Sequence, residues 1–152
     1  MLAGACIVLI TVMILAQIVG RWFGIIIPST EDFSGYLLAA ASFLALAYTF
    51  RHGGHIRVTL LIHSLPSVWQ RRLMLLSLLV FAVIVGYGAY HLSYLVYESW
   101  MFEELSQGYI PVPLWMPQLP MALGAVIFFI ALLDDIISTL MGHTPSFVEL
   151  EE

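Results

Sequence analysis

Four long apolar blocks run along this chain, separated by short polar stretches of unequal character. From Leu2 to Val19 the only strongly polar residue is Gln17. A helix of that length is about 27 Å long, enough to cross a ~30 Å hydrocarbon core. Gly20, Arg21 and Trp22 close the block, and tryptophan favours the membrane–water boundary. Pro28 and Ser29 open the next one. Ser29 and Asp32 have the S-x-x-D spacing of a capping box, with Glu31 and Asp32 placed where the helix dipole favours negative charge. The third block begins at Pro66–Ser67, is anchored by Trp69, Arg71 and Arg72, and continues to Tyr97. As one helix it is about 46 Å long and must tilt or project from the bilayer. The fourth begins near Pro117–Pro120, where proline suits a first turn, and ends near Met141. The pattern predicts helices over about 2–20, 30–50, 67–97 and 118–141 in a single integral membrane domain, an all-α fold.

The stretch between the second and third blocks is of another kind. His55 to Leu65 has mixed periodicity and is too short to span, so it reads as a short helix lying in the interface. His52 and His55 form an H-x-x-H pair with no third ligand nearby, and ordinary interfacial histidines are the simpler account. The tail from Gly142 to Glu152 is short and acidic.

Composition agrees with the pattern. Hydrophobic residues make up 61% and charged residues 10%, against roughly 45–50% and about 25% in soluble domains. Mean hydropathy is +0.98. The formal net charge of −5 gives no support for a nucleic-acid partner; the lipid bilayer is the expected surrounding. A single cysteine, Cys6, excludes an internal disulfide framework and a cysteine metal cluster. The AGA before it is no lipoprotein cleavage site, since the apolar run follows the cysteine. The first block likewise lacks the basic start and cleavage site of a secretory signal, and its abrupt beginning leaves room for a few further residues ahead of it.

Charge placement sets the expected orientation. Four of the five Lys+Arg residues, Arg51, Arg57, Arg71 and Arg72, lie around the second loop, whereas Glu98 to Pro117 carries three glutamates and no basic residue. Short basic loops stay on the cytoplasmic side, so both termini are expected inside, leaving only Arg21 outside.

Candidate functional residues are few. Ala82, Gly86, Ala89 and Ser93 make a groove of small residues through which another helix could approach closely. Gly35, Ala39 and Ser42, with Ala41 and Ala45 beside them, do the same on the second helix. Tyr87, Tyr90, Tyr94 and Tyr97 form a stripe read as packing plus an interfacial belt. Asp134 and Asp135 lie towards the arginine side. They could pair with an arginine there (Arg51, Arg57, Arg71 or Arg72) or snorkel to the interface.

Three stretches, taken together, carry a family resemblance. RHGGHIRV with a following LP and basic residues, QIVGRWFG ahead of an acidic helix start, and PLWMPQLPMALG stand in the order and spacing of the small, DctQ-like membrane subunit of tripartite ATP-independent periplasmic (TRAP) transporters. The resemblance covers about Ile14 to Leu133. The sequence departs from it at Ala45, where glycine is common, at Thr59, where aspartate is common, and at Gly35, where a basic residue often follows the acids.

The resemblance implies a non-enzymatic subunit of the bacterial inner membrane without a cofactor. It implies a large membrane subunit that carries the sodium and substrate sites, and a periplasmic binding protein that delivers an organic acid anion. This chain would be the static scaffold, with Arg51, His55, Arg57, Ala82, Gly86, Ala89 and Ser93 as candidate partner contacts. The residues read alone are compatible, because no Asp, Glu, Lys or Arg lies in the middle of any block. That pattern argues against a four-helix multidrug exporter, which needs a buried carboxylate. A cytochrome b-type anchor subunit is the alternative, but haem needs paired axial ligands and His91 is the one histidine inside a predicted span.

Overall fold

A computed structural model describes residues 2–51 and 67–141. They form four helices: α1 (Leu2–Trp22), α2 (Thr30–Arg51), α3 (Ser67–Met101) and α4 (Trp115–Leu140). All four are long and apolar enough to cross a membrane. The expected interfacial helix over 55–65, the His52–His55 pair and the acidic tail lie outside the described residues.

The helices pack in the order α1, α2, α4, α3, so the last helix is the central one. Its buried face runs through Ala122, Ala125, Phe128, Ala131, Leu132, Asp135, Ile136 and Thr139, at helical spacing. Small side chains on that face let neighbouring backbones come close, which matters in lipid because contact there rests on packing. The closest approach is at Gly124: a Cβ would run into the backbone of Phe43 and Leu44 in α2. Towards the end that carries Arg51, Phe50, Leu78, Ala82, Phe128, Leu132 and Ile136 form the apolar core. Three rings from three helices meet there edge to face, Phe50–Phe128 at 5.5 Å and Phe81–Phe128 at 5.7 Å between centroids. Such pairs add to simple area burial.

By contrast, α1 is held on one side only. Its partly covered residues are Ala3, Cys6, Ile10, Met13, Gln17 and Gly20, alternating three and four apart along one narrow seam. That seam lies against α2, and no α1 residue is fully buried. The rest of its surface is mostly aliphatic, with Thr11 bonded to its own helix and Arg21 and Trp22 at the end.

Two boundaries differ from the pattern-based expectation. The third helix continues to Met101, past Tyr97, since nothing in Glu98-Ser99-Trp100 breaks it. The fourth begins at Trp115, so Pro120 lies inside it rather than at its first turn. Pro117 still falls among the first four positions, whose N–H groups have no intrahelical acceptor anyway.

The expected capping box does not form. Ser29 takes a positive φ of 57°, and its hydroxyl accepts the Ile110 N–H at 3.0 Å. The α2 start is instead supported by Thr30, whose hydroxyl donates back to the Ile27 carbonyl at 3.2 Å. Ser29 thereby joins α2 to the segment between α3 and α4.

Candidate functional site

At the acidic-loop end, residues 102–114 form an ordered strap. Leu105 and Pro113 bridge, the Ser106 N–H donates to the Val112 carbonyl, and the Leu114 N–H donates to the Glu104 carbonyl. Ser99, wholly buried, donates its hydroxyl to Glu104 at 2.9 Å. Gly108 lies against the Asp32 carboxylate so closely that any Cβ would overlap it. The strap leaves Phe102, Leu105 and Tyr109 exposed, Tyr109 at 90%. Below it, Phe33, Tyr36, Leu37, Ala40, Met116 and Pro120 are among the residues lining an open apolar recess of about 260 Å³. Its lining offers no cation to an anionic ligand.

At the other end, the Arg51 Nη2 donates to the Asp134 Oδ2 at 2.8 Å. This pair links the last residue of α2 to α4 across more than eighty residues of chain. Both side chains remain more than half exposed, and the pair closes the end of α2, where a surface ion pair is modest in strength. One step round the helix, Asp135 is 2% exposed and belongs to the buried face. Thr139 donates its hydroxyl to the Asp135 carbonyl at 2.7 Å. Arg72 sits over the Trp69 ring, 5.7 Å from its centroid, an arrangement suited to a membrane boundary. His55 and Arg57 lie outside the described residues, as does the side chain of Arg71.

Three members of the small-residue groove of α3, Ala82, Gly86 and Ala89, turn inward, whereas Ser93 is exposed. Ala82 and Ala89 are 5% and 4% exposed, and a Cβ on Gly86 would stand 2.7 Å from Cε2 of Phe129 in α4. Ser93 donates its hydroxyl back to the Ala89 carbonyl at 2.8 Å. The groove thus takes a helix of its own chain. The tyrosine stripe faces the other way: Tyr87, Tyr90, Tyr94 and Tyr97 are 69%, 66%, 51% and 54% exposed.

Sequence reasoning passed over Gly124 and Gly108, and gave Ser29 a capping role in place of its bond to Ile110. The first had a signal, since Ala122, Gly124 and Ala125 interrupt an otherwise bulky apolar run. Gly108 had none, and the signal at Ser29 was local, because both roles depend on a segment about eighty residues away.

Among the described residues, no group of three or more His, Cys, Asp or Glu could hold a metal. Four helices long and apolar enough to span, a core confined to α2–α4, and charged groups kept towards the helix ends define a multi-pass membrane protein. The family model for tripartite ATP-independent periplasmic transporters, DctQ component, matches residues 10–142, and the chain belongs to that family. It is therefore the small permease subunit of a TRAP transporter. No curated protein matches the chain.

Proposed function

We propose that this chain is the stationary scaffold of its transporter, holding a larger membrane subunit that carries out sodium-coupled uptake of an organic acid delivered by a periplasmic binding protein. The observation that carries the reading is the continuity of the four helices, whose middle turns contain no Asp, Glu, Lys or Arg. Secondary transporters build their ion and substrate sites from interrupted helices and intramembrane charge. A chain with neither is suited to support. The packed α2–α4–α3 unit, with its aromatic knot and its hydrogen-bonded strap, supports the reading. In this reading the Arg51 end faces the cytoplasm of a bacterial inner membrane and the acidic strap faces the periplasm.

The test is co-purification. Affinity-tagged chain, extracted in mild detergent from cells that also express the large subunit, should bring that subunit down in near-equal amount. Recovery of this chain alone, with the large subunit folded in the same extract, would reject the scaffold role.

A further inference from the structure

We propose that the outward face of α3 built from Tyr87, Tyr90, His91 and Tyr94 is the surface that receives a transmembrane segment of the large subunit, one presenting hydrogen-bond acceptors. This deepens the scaffold reading and rests on it. The four residues form one strip. Tyr87 and His91 stack with ring centroids 4.3 Å apart, and Tyr90 meets His91 edge-on at 5.3 Å. The tyrosines are half to two-thirds exposed, and His91 is exposed as well.

Depth makes the strip unusual. The part of α3 long and apolar enough to span is Leu75–Met101, and Tyr87 lies within one residue of its middle. With a hydrocarbon core of ~30 Å, that is about 15 Å from either boundary, beyond the reach of a tyrosine side chain. The register with α4 agrees, since Gly86 abuts Phe129, itself close to the middle of Trp115–Leu140. An interfacial belt therefore accounts for Tyr97 and Trp100 near the helix end, and not for Tyr87, Tyr90 or His91.

The chain handles lipid-facing hydroxyls differently elsewhere. Thr11 donates to the Ile7 carbonyl, Ser42 to the Leu38 carbonyl and Ser93 to the Ala89 carbonyl, each on its own helix. A phenol at the tip of a rigid ring cannot fold back in that way. Acyl chains offer it no acceptor, and an unsatisfied polar group in hydrocarbon is costly. On α1, where lipid is the expected neighbour, the large exposed side chains around its middle are aliphatic (Ile7, Val8, Leu9, Val12, Ile14 and Leu15), and the exposed Thr11 bonds to its own helix. Area points the same way. Three tyrosines, each able to bury roughly 150–250 Å² and each at least half exposed, supply a few hundred Å², a part of the ~800 Å² per partner of a standard interface.

A photo-crosslinking benzophenone residue placed at Tyr90 or at Tyr94 should give an adduct with the large subunit in membranes containing the complete transporter. The same residue at Val8 or Val12 should give none. Tyr90→Phe and His91→Leu, both at exposed sites, should leave the melting temperature of the isolated chain unchanged. Each should lower the amount of co-purified large subunit by roughly two- to ten-fold, the span set by one hydrogen bond.

Adducts from α1 only, adducts joining two copies of this chain, or co-purification with no adduct from α3 would overturn the assignment while leaving the scaffold reading intact. Absence of any co-purification from the unmodified pair would remove both.

Discussion

Three glycines on three helices meet different obstacles, and that difference orders the cost of filling them. At Gly124 the obstacle is the α2 backbone, which cannot rotate away. At Gly86 it is the edge of the Phe129 ring, which can shift a little, and at Gly35 nothing lies within 4 Å. Gly124→Ala should therefore cost about 1–3 kcal/mol, in the range of overpacked cores, Gly86→Ala less, and Gly35→Ala close to nothing. Thermal unfolding of the three variants in one detergent would check the order. Equal effects at Gly124 and Gly35 would contradict the close α2–α4 contact. The Arg51–Asp134 pair belongs to the same scale. Its exposure limits it, so a double-mutant cycle with Arg51→Ala and Asp134→Ala should give a coupling of about 0.2–1 kcal/mol.

At the scale of elements, the strap over the α2 start is the feature most open to a test. It is fastened to α2 by the Ile110 N–H on Ser29 and by the close seat of Gly108 on Asp32. Gly108→Val should lift it, because the added side chain has no room beside the carboxylate. Limited proteolysis should then cut within 103–112 faster than in the parent chain, while the four helices keep their helical signal. An unchanged digestion pattern would mean that the strap holds without this contact.

The elements themselves were legible from hydropathy and from the placement of proline and tryptophan, since long apolar runs in lipid leave the backbone few choices. Their partners were less so. The groove of Ala82, Gly86 and Ala89 was readable as a packing surface, but only the position of Phe129 tells which helix fills it. Ser29 shows the same limit, because S-x-x-D is a local signal and Ile110, far along the chain, takes the hydroxyl. Of the candidate site, the Asp134 link to an arginine was foreseeable from shared depth; its choice of Arg51 depends on how α2 and α4 align.

For the whole molecule, the distribution of arginines predicts the orientation. In a background with Cys6 replaced, a cysteine at Tyr109, on the exposed tip of the strap, should react with an impermeant thiol reagent in intact cells. A cysteine at Trp69, beside Arg72, should react only after the membrane is opened. The reverse pattern would invert the topology. Ser106 makes a poor probe, being buried, with its hydroxyl accepting the Val112 N–H.

On the proposed scaffold role, this chain supports transport and performs none itself. Sodium-driven uptake of the cognate organic acid should be measured in vesicles holding this chain alone, the large subunit alone, or both, each supplied with the binding protein. The scaffold account predicts uptake only when both are present, and background levels for this chain alone. Uptake by vesicles that contain only this chain would contradict it.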